Sequence, residues 1–250
     1  IDLIDVVANV DNFELPITIN GGTLTFETLE SGSALYSNNQ LSVSIDNQFP
    51  DGTILNIPFV HLSTDYVFDG TGDQPWQPKD VTKPQNAYGR SKKIGEDSIR
   101  AVGSTYGILR TSWVVSSHGN NFVKTILNLS ENRDTLSLVA DQIGGPTPAK
   151  DIAKACLKIV DQLKQDPSKS GTYHFSGAED VSWAEFATEI FQQTRRSVSV
   201  LPVPTCDYPT PAVRPLNSRL NCSRTGEVFS IHRPNWRIGL NDILIELGVI

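Results

Sequence analysis

Apolar and polar positions along the chain switch repeatedly between a strand period and a helix period. The run Ile57-Pro58-Phe59-Val60-His61-Leu62 is apolar and β-branched, which predicts a buried strand, and it ends in the polar group Ser63-Thr64-Asp65. Pro84-Gln85-Asn86 offers a polar cap for a helix that starts at Ala87 and continues through Ala101. Tyr106 to Val115 predicts a second strand running into a turn, and residues 120–130 a helix with Phe122, Ile126, Leu127 and Leu129 on its apolar face. A strand at 135–141 follows, then a helix from about Ala149 to Leu163 with Ile152, Ala153, Cys156, Ile159 and Val160 at helical spacing. Residues 171–176 read as a strand, 183–193 as a helix capped by Asp180 or Ser182, and 197–204 as a short strand. A proline-rich extended loop at 202–215 and a helix at about 240–247 close the chain. Strands alternating with helices predict an α/β protein with a mainly parallel sheet.

The first 56 residues break this rhythm. Pro16–Asn20 and Thr23–Glu27 flank Gly21-Gly22 as the arms of a β-hairpin, and Leu41–Ile45 alternates like a further half-buried strand. Charge breaks at the same place. Residues 1–78 hold eleven acids and no base, so with a net charge of −7 overall, residues 79–250 carry +4. Phosphate backbones require Lys and Arg, so the front end is no nucleic-acid surface. Three domains are therefore expected: an atypical, β-rich segment 1–56, an α/β core 57–178 and a substrate-side region 179–250.

Other classes are narrowed by composition. No apolar run approaches the ~20 residues of a membrane span, and no cationic, apolar leader is present. Cys156, Cys206 and Cys222 are odd in number and lack metal spacing, and the four histidines are scattered. Free thiols in a reducing, cytoplasmic compartment, and no metal, are the expectation. The chain contains no methionine, so it reads as a fragment or an altered product.

Candidate chemistry centres on Tyr88 and Lys92. At i and i+4 of the predicted helix they share a face. A lysine beside a phenol favours the phenolate and is expected to bring its pKa down from about 10 towards neutrality. Such a phenol is fit for general acid–base work. With six tyrosines and ten lysines in the chain, chance supplies about a quarter of one such match, so the pair alone decides little. Thr64 adds weight, because it ends a strand where an open α/β sheet places its ligand-facing loops. His174 reads as a core residue.

The text S-T-D-Y-V-F-D-G at 63–70, N-A-Y-G-R-S-K at 86–92, R-T-S-W at 110–113, G-N-N-F at 119–122, D-Q-I-G-G-P-T at 141–147 and R-P-L-N-S at 214–218 resembles the dTDP-4-dehydrorhamnose reductase family. That family lies within the extended short-chain dehydrogenase/reductase superfamily. The resemblance runs from about Ile57 to the C-terminus. It implies a Rossmann-like sheet and reduction of a sugar C4 ketone with NADPH or NADH. Thr64, Tyr88 and Lys92 are implied as catalytic, and Ser63, Tyr88, Lys92 and Thr111 as cofactor contacts. Tyr66, Trp113, Arg214 and Asn217 are implied as substrate contacts; a core tryptophan and a surface arginine are the plain readings of Trp113 and Arg214. A dTDP-sugar is the implied partner, with neither nucleic acid nor membrane, and a homodimer is open.

The front segment departs from that pattern. Such a reductase should open with a strand, a glycine-rich turn and a helix that cradles pyrophosphate, yet no G-x-x-G-x-x-G occurs. The cofactor-binding half is either replaced or lost, or it survives in an unreadable form. Two other readings of the whole chain stay open: a non-catalytic sugar-nucleotide-binding or regulatory homologue, and epimerase or dehydratase chemistry on the same scaffold.

Overall fold

A computed structural model describes residues 58–208 and 213–250. The expected hairpin around Gly21-Gly22, the strand at 41–45 and part of the proline-rich loop lie outside the described residues. β1 (Phe59–Thr64), α1 (Ala87–Val102) and β2 (Tyr106–Thr111) form the first unit. β1 and β2 are parallel, and parallel neighbours need a crossover rather than a tight turn, which α1 supplies. The register sets Phe59 opposite Tyr106 and Thr64 opposite Thr111, so both strands end level. The side chain of Asn86 starts α1 by accepting from the Gly89 amide at 2.8 Å, and Gly103, at φ 70°, ends it in the left-handed conformation.

Next come β3 (Val114–Val115), α2 (Phe122–Leu129), β4 (Thr135–Val139), β5 (Ile143–Gly144) and β6 (Thr147–Pro148). α3 (Ala149–Gln165) then leads to β7 (Gly171–His174), which lies parallel to β2 and completes a sheet of order β1-β2-β7. After it run β8 (Val181–Ser182), α4 (Trp183–Thr194), β9 (Ser199–Val203), β10 (Asn217–Ser218), α5 (Ser223–Phe229) and α6 (Trp236–Glu246). β4 and β9 pair in parallel, and β5 joins β10 to β8. The α/β class with parallel sheets is thus as expected.

Among the described residues the buried apolar side chains form three clusters, a small one being Val67, Phe68, Leu220 and Cys222. Leu109, Ile159, Leu163, Tyr173 and Phe229 fill the space among β2, β7, α3 and α5. Ile126, Leu136, Phe186, Ile190, Trp236 and Leu240 join α2, β4, α4 and α6. α4 begins where Ser182 and Glu185 close a reciprocal capping box, which selects Ser182 over Asp180 as the cap. Among the described residues, no helix is long and apolar enough to cross a membrane.

Three expectations need correction. The strand expected at 106–115 breaks after Thr111, because Trp113 takes φ 49°, outside any extended conformation. β1 is not buried along its length: Phe59 is 48% exposed, and only Ser63 and Thr64 are fully buried. The last helix starts at Trp236, where the Asn235 side chain accepts from the Arg237 amide at 3.0 Å, four positions earlier than expected.

Candidate active site

The chain leaves β1 through a single 3-10 turn, Asp65–Val67, for which Thr64 is the cap: its hydroxyl accepts from the Tyr66 amide at 3.2 Å. The first turn of α1 lies directly on this element. A Cβ built on Gly89 would stand 2.2 Å from the Tyr66 carbonyl oxygen, so only glycine permits that approach. The approach carries the neighbouring Tyr88 to the strand end, where its ring meets Tyr66 edge-on at 5.7 Å. There the Thr64 side chain is near enough to draw the Tyr88 pKa down. Thr64 and Tyr88, 24 positions apart, are thereby brought together.

The electrostatics correct the expectation for Tyr88. Its pKa is raised, chiefly because burial disfavours the phenolate; the Thr64 side chain opposes this and the nearby Asp65 adds to it. Lys92 is on the same helix one turn further on, but among the described residues no hydrogen bond joins it to Tyr88. Its charge is answered by Glu96, while burial lowers its own pKa. The phenol is therefore protonated at neutral pH, poised as an acid rather than a base.

Asp65 is a participant that the sequence reading passed over, although the S-T-D-Y text contained it. It is buried, accepts from the Thr64 hydroxyl at 3.1 Å, and leaves Oδ2 without a partner. Burial pushes its pKa up to about 6, against the opposing pull of the Ser218 and Thr64 side chains. Glu96 was missed too. It is fully buried and joins Ser63 to Arg110, two residues that read in sequence as unrelated strand positions.

The other expected site residues divide. Ser63 donates to Glu96 at 2.6 Å and lines the floor beneath Thr64. Thr111, level with Thr64 on β2, is buried with its hydroxyl unpartnered. Burial drives the Tyr66 pKa up to about 12, while the positive charge of the exposed Arg214 pulls it down. Asn217 ends up at the loop beside the site. It is buried, donates to the carbonyls of Thr71 and Gln74, and accepts from the Arg219 side chain, so its amide is committed to the loop. Trp113 is half-buried, stacked on Trp183 at 3.5 Å with rings 7° apart, and its edge closes over Gly144. His174 is buried in the core, with Nδ1 3.0 Å from the Trp76 carbonyl oxygen.

The described residues fit the nicotinamide end of a dinucleotide. In open α/β sheets, ligands lie beyond the carboxyl ends of the strands. Here that end carries the orphaned Thr111 hydroxyl beside Thr64, with Tyr88 and Lys92 on the adjoining helix. A buried polar atom with no partner calls for one. Among the described residues, no group of three or more His, Cys, Asp or Glu side chains is placed to hold a metal ion.

Parallel βαβ units, with a tyrosine and a lysine one helical turn apart beside a strand-end threonine, define a short-chain dehydrogenase/reductase of the extended type. A family model described as the RmlD substrate binding domain matches residues 52–249, and the chain belongs to that family. A dTDP-4-dehydrorhamnose reductase of Sinorhizobium fredii is 44% identical over 188 residues, 73% of this chain and 64% of its own length. The chain thus spans less than two thirds of that relative. Another, from Aggregatibacter actinomycetemcomitans, is 39% identical over 249 residues, covering 95% of this chain and 83% of the relative. That alignment includes most of the stretch before residue 57, where the quoted motifs carry no resemblance. The crystal structure of dTDP-4-dehydrorhamnose reductase from Bacillus anthracis in complex with NADP superposes with a TM-score of 0.69 at 38% identity. The match covers 75% of this chain and 65% of that one.

Proposed function

We propose that this chain reduces the C4 ketone of dTDP-4-dehydro-6-deoxy-L-mannose to dTDP-L-rhamnose, using NADPH or NADH. The observation that carries the reading is the meeting of Thr64 and Tyr88 at a strand end, with Lys92 one helical turn away. Ser63, Tyr88, Lys92 and Thr111 are the residues we assign to hold the cofactor, which supplies hydride when bound. Tyr88 donates its proton to the oxygen developing at C4, and Thr64 hydrogen-bonds the same oxygen. Lys92 adds positive charge on the cofactor side of the phenol. Tyr66, Trp113 and Arg214 face the sugar nucleotide, with residues 57–178 carrying the chemistry and 179–250 mainly the substrate contacts. The raised Tyr88 pKa supports the reading, because a proton donor must hold its proton until the transition state.

Replacing Tyr88 by Phe removes the donor and leaves the ring. Turnover should fall by about 10²–10⁴, the usual worth of general acid catalysis, with the KM for the sugar nucleotide little changed. Near-normal turnover would remove Tyr88 from the mechanism. The absence of a legible glycine-rich loop before residue 57 favours one competing reading, a binding module without a working cofactor site. A ligand that binds only the native state raises its melting temperature. Millimolar NADPH should therefore raise that of the 250-residue chain, and no shift would favour the binding module.

A further inference from the structure

The groups assigned to catalysis sit on three separate elements, β1, β2 and α1, and one buried side chain touches all three. Glu96 is on α1, four residues after Lys92 and eight after Tyr88, so it lies below both on the same stretch of helix. It is 0% exposed. Its Oε1 accepts from Ser63 at 2.6 Å and from Nε of Arg110 at 2.8 Å. Its Oε2 accepts from Arg110 Nη2 at 2.7 Å and from Arg100 Nη2 at 2.9 Å. Four donors on two oxygens saturate the carboxylate. Ser63 directly precedes Thr64 and Arg110 directly precedes Thr111, so the fixed points are each one residue from a candidate site group. Arg110 is itself buried, and its remaining Nη1 donates to the Pro78 carbonyl at 3.1 Å.

We propose that Glu96 is a positioning residue for the reduction: its carboxylate sets where α1 presents Tyr88 and Lys92 relative to Thr64 and Thr111. The proposal rests on the reductase reading above. A buried ion pair is often neutral or unfavourable for stability compared with apolar residues of the same volume, so stability alone is a weak account of this cluster. Geometry is a better one. A forked Arg–carboxylate pair fixes direction as well as distance, and here it locks helix to sheet at the strand ends. Glu96 also opposes the burial that lowers the Lys92 pKa.

The test is Glu96→Gln in the full 250-residue chain, beside the volume-matched double variant Glu96→Met/Arg110→Met, which removes both charges together and keeps the core filled. Turnover should fall about 10- to 100-fold in both, with the KM for the sugar nucleotide within about threefold, because displaced groups lose transition-state rather than ground-state contacts. The alkaline limb of the kcat profile should move to lower pH in Glu96→Gln, since Lys92 loses the charge that holds its proton. A second readout needs no turnover. In protein labelled at the tyrosine ring carbon, the Tyr88 resonance (assigned through Tyr88→Phe) should shift, and its titration should move upward as Tyr88 is displaced from Thr64, which draws its pKa down. An unmoved Tyr88 titration, or full turnover in the double variant, overturns the proposal. Absent turnover in the unmodified chain would instead count against the reductase reading, and the tyrosine titration would still decide the role of Glu96.

Discussion

Replacing Gly89 by alanine tests whether the contact between α1 and the Tyr66 turn sets the position of Tyr88. The added methyl would lie 2.2 Å from the Tyr66 carbonyl oxygen and 3.0 Å from both the Tyr66 carbonyl carbon and Cβ of Pro84. Carbon approaches a carbonyl oxygen to about 3.3 Å, so the helix end must retreat by about 1 Å. Neither neighbour is the free end of a flexible side chain: one is backbone and the other a proline ring. Alanine gains about 0.5–1 kcal/mol over glycine in a helix, and overpacking costs about 1–3 kcal/mol. The expected net loss is about 1 kcal/mol, or roughly 2–4 °C in Tm for a chain of this size. Turnover should suffer far more, because a displacement of about 1 Å at reacting groups costs about 10²-fold. Gly95→Ala on the same helix is the control. There the nearest atom is the His61 ring nitrogen at 3.4 Å, an ordinary contact, so the helix gain should appear unopposed as a rise in Tm. Thermal unfolding followed by circular dichroism, with steady-state oxidation of NADPH, measures both variants. A Gly89→Ala protein that melts and turns over like the parent would refute the argument.

Two buried carboxylates should titrate with opposite signs. Arg110, Ser63 and Arg100 outweigh the burial of Glu96 and hold its pKa at about 2, below the unfolded value of about 4.3. Its contribution is complete above about pH 4.3 and lost as pH falls towards 2, so Glu96→Gln should flatten the decline of Tm across that range. Asp65, raised to about 6 by burial, binds its proton more tightly when folded than when unfolded, so its contribution grows as pH falls from about 7 to 4. Asp65→Asn should exceed the parent in Tm near pH 8 by a margin that closes towards pH 4; a margin independent of pH would sink the assignment. Trp183→Ala removes the ring stacked on Trp113 and the indole N–H donated to Gln142 at 3.2 Å. The residue is half-buried, so a loss of roughly 2 kcal/mol is expected, below the range for a fully buried tryptophan. The near-ultraviolet dichroism of the paired indoles should vanish with it, and its survival would mean that the pair contributes no signal.

What was legible in the sequence is what local chemistry dictates. α1 was bounded correctly because Asn86 is a side-chain cap and Gly103 takes a conformation that other residues avoid. The start of α4 was legible because Ser182 and Glu185 stand three apart before an apolar face. The illegible parts depend on partners far along the chain. Trp113 looks like a strand residue until its backbone is seen to turn, its carbonyl accepting from Thr147 at 3.0 Å. α5 was missed because Ser223–Phe229 contains a glycine and buries only Thr225 and Phe229, too few points to show a period. β5, β8 and β10 are two residues each, and pairing rather than propensity makes them strands. The Tyr88–Lys92 spacing was read correctly as a shared helix segment, but not what each charge would face. That required knowing that Glu96 stands one turn further on, and that Asp65 is folded in beside the phenol.

The corrected electrostatics bear on direction. Reducing a ketone needs a group that still holds a proton when the oxygen begins to carry charge, whereas oxidising the alcohol needs the phenolate. Burial and Asp65 both push Tyr88 towards the protonated form, while the Thr64 side chain pulls the other way. The site as it stands therefore favours proton donation over proton removal. Asp65 can change sides, because a carboxyl near pH 6 is partly protonated under ordinary conditions, and each proton it takes up removes one reason for Tyr88 to stay neutral. The Thr64 hydroxyl donates to Asp65 at 3.1 Å, and the same side chain draws the Tyr88 pKa down, so both groups draw on one threonine. In the proposed reduction, Thr64 is thus more than a second donor for the substrate oxygen. It is the point through which the state of a buried carboxyl reaches the acidity of the phenol.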